Sequence, residues 1–195
     1  MTPALGLYGG SFDPPHRGHV ELAHRAKREL PLERLLVLVS ADPGHKHVGT
    51  PADIRLRLTR AAFPDDDVVL DPTPRTIDLL RAHPEWRDPL FLIGADQFSD
   101  FPTWKEPGEV LELARLAVAT RPGFPQATLD AVLAKLGMPD RVVFFEIEPL
   151  PISSRDLRGR LAAGEDVSAS VPPAVAELIR ADGLYTRGSG YTDRA

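Results

Sequence analysis

The sequence predicts an α/β fold: a doubly wound, mostly parallel sheet with a small C-terminal helical part. Three observations predict it. Short apolar runs alternate with helical stretches along residues 4–146, the pattern of repeated strand–helix–strand units. Two of these runs, in Arg34–Ser40 and Leu90–Ile93, are almost continuously apolar, as strands covered on both faces require. Glycines and charged residues follow the runs directly, where open α/β sheets bind ligands beyond the carboxyl ends of their strands.

In order, Ala4–Tyr8 reads as the first strand. A glycine-containing loop follows, and Val20–Lys27 reads as a helix with Val20, Ala23 and Ala26 on one side. Arg34–Ser40 is the second strand, completing a unit whose crossover should be right-handed. Ala41–Gly49 is a polar, turn-rich loop. Asp53–Ala62 reads as a helix, although the alternation of Ile54, Leu56 and Leu58 with Arg55 and Arg57 is partly strand-like. Val68–Leu70 is a short strand, and Thr76–Ala82 a helix bracketed by Pro74 and Pro84. Then come strand Leu90–Ile93, helix Val110–Ala114, strand Leu116–Ala119, helix Thr128–Leu136 ended by Gly137, and strand Val142–Phe145. Ser153–Ala163 and Pro172–Ala181 read as two further helices, the second ended by Gly183. The expected organisation is one domain over residues 1–186, with the helical part from about residue 152. Residues 187–195 read as a mobile polar tail.

Composition narrows the function classes. Hydrophobic residues make up 43% and charged residues 26%, enough for a real core. The 23 basic and 28 acidic residues leave a net charge of −5, which argues against a nucleic-acid or anionic-membrane binder. There are no cysteines, so disulfides, thiolate metal sites and cysteine nucleophiles are excluded, and a cytoplasmic location fits. The N-terminus reads as a strand, with no signal peptide, and no apolar run approaches the roughly 20 residues of a membrane span. A homo-oligomer is compatible with the sequence.

The chemistry concentrates in Gly9–His19, Gly-Gly-Ser-Phe-Asp-Pro-Pro-His-Arg-Gly-His. Gly9 and Gly10 would let the backbone approach a ligand. Ser11 and Phe12 continue the loop, and His16 and His19 are three apart at a helix start, so they face one side. With the helix N–H groups they would bind phosphates. A zinc site built with His24, His45 and His47 lacks an accompanying carboxylate or cysteine set, so no metal ligand is assigned. Lys46, in the loop after the second strand, reads as a point charge for a phosphate. Gly94 and Asp96 follow the Leu90–Ile93 strand, and Arg121 follows Leu116–Ala119. In Ile152-Ser153-Ser154-Arg155-Asp156-Leu157-Arg158, either serine would cap a helix, and Arg158 supplies a cation.

Gly10, Phe12, Asp13, Pro14, His16, Gly18 and His19 match the Gly-x-Phe-Asp-Pro-x-His-x-Gly-His signature of the nucleotidyltransferase superfamily. The Ile152–Arg158 stretch resembles that superfamily's Ile-Ser-Ser-Thr-x-Ile-Arg motif, departing at Arg155 and Leu157. Gly94-Ala95-Asp96 with Trp104-Lys105, Arg121-Pro122-Gly123 and the ending Gly183-Leu184-Tyr185 resemble bacterial nicotinate-nucleotide adenylyltransferases. The resemblance runs from about Leu5 to Tyr185.

It implies transfer of AMP from ATP, with Mg²⁺, to nicotinate mononucleotide. His16, His19, Lys46 and Arg158 would be the catalytic residues. Gly9, Gly10, Ser11, Phe12, Gly94, Asp96, Arg121, Ile152, Ser153 and Ser154 would also bind ATP. Lys46, Arg75, Thr76 and Trp104 would bind the acceptor, Trp104 by stacking on the nicotinate ring. Where the family has Ser-Tyr-Thr, this chain has Pro74-Arg75-Thr76, and Arg75 could meet a nicotinate carboxylate or point to solvent. Nicotinamide mononucleotide, another phosphorylated acceptor, and a catalytically weak nucleotide sensor are the alternatives.

Overall fold

The computed structural model describes residues 4–43 and 48–186. Its strands are β1 (Ala4–Gly10), β2 (Leu32–Ser40), β3 (Asp67–Asp71), β4 (Leu90–Gly94), β5 (Arg115–Thr120) and β6 (Val142–Glu146). They form one sheet in the order β3-β2-β1-β4-β5-β6, and every pairing is parallel. The chain winds outward from β1 in one direction, then returns and winds the other way from β4. The order therefore reverses between β1 and β4, which opens a crevice beyond their carboxyl ends.

The apolar runs are strands because both of their faces are covered. Side chains alternate across a pleated strand. In β2, Leu35, Val37 and Val39 enter one core while Leu36 and Leu38 enter the other. In β4, Leu90 and Leu92 enter the first core, and Phe91 and Ile93 the second. Helices α1 (Arg17–Glu29), α2 (Ala52–Ala62), α7 (Ser154–Ala162) and α8 (Pro173–Ala181) contribute Ala23, Leu58, Leu157 and Val175 to the first core. Helices α3 (Thr76–Ala82), α4 (Ala95–Asp100), α5 (Pro107–Leu113) and α6 (Gln126–Leu136) contribute Ile77, Phe98, Leu111 and Leu129 to the second. The C-terminal helices thus share the core of α1 and α2. None of the described helices is long and apolar enough to cross a membrane.

The elements read from the sequence are present; most of the strands and α1, α2 and α6 run longer than read, while α7 and α8 each start one residue later and α5 ends one residue earlier. Helix α1 begins at Arg17, three residues before Val20, because the two histidines are part of its start. The strand-like alternation of α2 has a physical cause: Arg55 is buried at 1% exposure while Arg57 reaches out to Asp182. Sequence reading missed α4 and the 3₁₀ turns Phe101–Thr103 and Pro139–Arg141. These are short; in α4 only Ala95 and Phe98 are buried, too few for a helical period to register.

Candidate active site

Strand β1 delivers its last residues to the crevice. A Cβ on Gly10 would lie 3.0 Å from the Phe12 ring, and one on Gly9 would lie 3.3 Å from Phe91. These glycines therefore make room for the protein's own aromatics, a different reason from the ligand approach the sequence suggests. Phe12 is 1% exposed, with its backbone in the left-handed region at φ 48°. It turns the chain sharply into the cis Asp13–Pro14 bond.

Residue 16 is the N-cap of α1, and its backbone N–H donates to Nδ1 of His19 at 3.1 Å. That bond requires a bare Nδ1, so the proton of a neutral His19 sits on Nε2. The two imidazoles stack, with centroids 3.7 Å apart and planes 27° from parallel. His19 also meets the edge of Phe12 at 5.0 Å. Gly18 permits this arrangement, since a Cβ there would lie 3.1 Å from the His16 ring. Burial pushes His16 down to about 4, so its ring is neutral at pH 7. The helix start keeps fewer amides for a ligand than its sequence implies. Arg17 N–H donates to Ser170 O at 3.0 Å, and His19 N–H to His16 O at 2.9 Å.

The Ile152–Arg158 stretch packs on this same loop. Ser153 is the N-cap of α7, its Oγ accepting from Asp156 N–H at 3.1 Å. Ser154 is not the cap; its Oγ donates to Pro14 O at 2.9 Å. Arg158 Nη1 donates to Asp13 O at 2.6 Å and lies 3.8 Å from Asp13 Oδ2. Ile152 precedes them, half-buried against the first core.

Gly94 ends β4 next to β1, and a Cβ there would meet nothing within 4 Å. Asp96 and Arg121, exposed beyond β4 and β5, pair at 3.5 Å. Trp104 is half-buried, with ring centroids 5.1 Å from Phe101 and 6.4 Å from Phe91. Arg75 is the exposed N-cap of α3, its Nη1 donating to Pro74 O at 2.9 Å, and Thr76 opens that helix. Lys46, like the 187–195 tail, lies outside the described residues.

The cytidylyltransferase-like family model matches residues 7–160. The chain belongs to this family. It is 37% identical to a Thermomicrobium roseum protein described as a probable nicotinate-nucleotide adenylyltransferase, over 93% of this chain and 91% of that one. A Thermus thermophilus protein of the same description is 38% identical, over 93% of this chain and 98% of its own. Among solved structures, the Plasmodium falciparum nicotinic acid mononucleotide adenylyltransferase complexed with NaAD superposes with a TM-score of 0.75. It covers 94% of this chain and 97% of that one at 20% identity, a likeness of fold.

In this cytidylyltransferase-like chain, sequence reading gave no site role to three residues that shape the site: Arg55, Asp13 and Tyr185. Arg55, fully buried beneath the loops, donates Nη1 to Ser11 O and Ser40 O, both at 2.8 Å. It also donates Nη2 to Ala41 O at 3.1 Å and Nε to Thr50 O at 3.0 Å. One side chain thereby ties the exits of β1 and β2 to the start of α2. Asp13, 1% exposed, accepts from the hydroxyl of Tyr185 at 2.8 Å. For Arg55 the available signal was a cation three residues before buried Leu58 and seven before Ala62, on the core stripe of α2. The carbonyls of Ser11, Asp13 and Pro14 are each held by a donor from another element. Those partial negative charges are therefore neutralised within the protein.

Proposed function

We propose that this chain transfers AMP from ATP to nicotinate mononucleotide, forming deamido-NAD and pyrophosphate. The observation that carries the reading is the stacked His16–His19 pair on the loop after β1, at the sheet's switch point. Choice of the nicotinate acceptor is supported by relatives of that description, matched over more than nine-tenths of their length.

The acceptor's phosphate oxygen attacks the α-phosphorus of ATP. A new P–O bond forms, the bond to the bridging oxygen breaks, and pyrophosphate leaves with that electron pair. The attacking phosphate is already ionised, so no protein nucleophile or general base is needed. Catalysis is positioning and charge stabilisation. His19 donates from Nε2 to a phosphate oxygen. The neutral His16 beside it contributes a hydrogen bond, and the approaching anion raises its proton affinity. Arg158 and Lys46 supply cations. Trp104, Thr76 and Arg75 receive the nicotinate end. Mg²⁺ enters with ATP, ligated mainly by phosphate oxygens and water.

Pyrophosphate release from MgATP, measured with nicotinate mononucleotide and nicotinamide mononucleotide side by side, tests this reading. Release with the acid form and little with the amide is expected. Equal release would make the enzyme dual-specific, and silence with both would overturn the acceptor assignment. Full turnover in His19→Ala would overturn the mechanism.

A further inference from the structure

Helices α3 and α5 flank the proposed acceptor residues and are joined by a group of ion pairs. Arg81, in the last turn of α3, donates Nε to Glu109 Oε1 at 2.8 Å, and its Nη2 bonds Glu109 Oε2 as well. The same guanidinium bonds Glu106 Oε2 at 2.5 Å. One turn earlier on α3, Asp78 Oδ1 accepts from Lys105 Nζ at 2.9 Å. Lys105, Glu106 and Glu109 all follow Trp104 within five residues, and all three are tied to α3. Glu106 adopts φ 52°, a left-handed conformation costly for a side chain of its size.

Arg81, Lys105 and Glu106 are exposed and Asp78 and Glu109 half-buried, and isolated surface pairs contribute little. Here a single guanidinium engages two carboxylates in a forked geometry, and a second pair lies one turn away, so the contacts restrain one another. Glu109 and Glu106 push Arg81 up from its ordinary value, and Arg81 holds Glu109 below the carboxylate range. The indole of Trp104 meets Phe101 and Phe91 on its inner side. The ion pairs fix the chain that follows it. Arg75 and Thr76 stand at the other end of α3, three and two residues before Asp78.

We propose that Arg81 is a positioning residue for the acceptor subsite, holding Glu106 and Glu109 against α3 so that Trp104 stays at a fixed distance from Arg75 and Thr76. The role rests on the acceptor reading above. In Arg81→Ala the KM for nicotinate mononucleotide should rise about fivefold while the KM for ATP stays within about twofold, and Arg81→Lys, lacking the fork, should fall between. Unchanged acceptor KM, or an equal rise for both substrates, would overturn it. A second measurement does not depend on turnover. In a Trp86→Phe background, Trp104 is the sole indole, and Arg81→Ala should make its fluorescence more accessible to acrylamide. Unaltered quenching would overturn the proposal even if nicotinate mononucleotide proves not to be the acceptor. Inactivity of the parent protein with that acceptor would count against the acceptor reading alone.

Discussion

The hydroxyl of Tyr185 donates to Oδ1 of Asp13 at 2.8 Å, joining residues 172 positions apart in the chain. Both are buried, at 0% and 1% exposure. Asp13 lies in the loop that carries the histidines, and Tyr185 follows α8. Asp13 Oδ2 is buried without a hydrogen bond, 3.8 Å from Arg158 Nη1. Burial and the neighbouring Asp13 both push the Tyr185 phenol above its ordinary value, so it remains a donor. The end of the fold thus reaches back to the loop at its beginning.

Tyr185→Phe keeps the packed ring and removes only that donor. Hydrogen bonds to charged groups contribute about 1.5–3 kcal/mol, so urea unfolding should show a loss of about 2 kcal/mol. Asp13→Asn should cost less in the Tyr185→Phe background than in the parent, because the two residues act as one unit. Additive losses would mean that the bond contributes little.

Arg55 poses the sharper stability question. Its four bonds end on main-chain carbonyls of Ser11, Ser40, Ala41 and Thr50, and burial lowers its pKa while Asp13 and Tyr185 raise it. Arg55→Lys keeps the charge and loses the fork. Two or more stranded carbonyls should lower Tm by roughly 5–10 °C. Because the exits of β1 and β2 loosen together, the KM for ATP should rise in the same variant at a temperature well below its Tm. A wild-type Tm would show that the carbonyls find other donors.

The fold was legible because its signal is local: Leu35–Val39 and Leu90–Ile93 can be covered strands and little else. The histidine pair was legible for the same reason, its geometry being set by three residues of spacing and a glycine. The polar scaffold beneath it was not. Arg55 resembles the other arginines of its helix until the structure turns it inward, and Tyr185 meets Asp13 only after the whole sheet is built. The glycines of the loop were read as room for a ligand, whereas the space a Cβ would take at Gly9 and Gly10 is occupied by Phe91 and Phe12.

His16 gives a pH dependence with a definite sign. Its folded pKa is about 4, against about 6.5 in the unfolded chain. Above pH 6.5 both states are neutral at this residue and nothing changes. As pH falls from 6.5 towards 4 the unfolded state takes up a proton that the folded state refuses, so stability is lost. The loss should reach about 2 kcal/mol by pH 5 and level off near 3 kcal/mol below pH 4. Urea midpoints at pH 7 and pH 5 measure it, and His16→Asn should flatten that part of the profile. Saturating ATP should also flatten it, since a bound anion favours the protonated ring.

In the proposed acceptor site, Arg75 would read the acceptor's charge directly. Its guanidinium is exposed, with Nη1 on the carbonyl of Pro74. A swing towards an acceptor is therefore unopposed by burial. If it pairs with the nicotinate carboxylate, Arg75→Met should raise the KM for nicotinate mononucleotide about tenfold and leave that for nicotinamide mononucleotide unchanged. If Trp104 stacks on the acceptor ring as proposed, Trp104→Ala removes a contact that either ring would use, so both KM values should rise together. The ratio of the two acceptors' kcat/KM separates these roles. A ratio unmoved by Arg75→Met would leave recognition of the carboxylate to main-chain groups near Thr76 and remove Arg75 from the site.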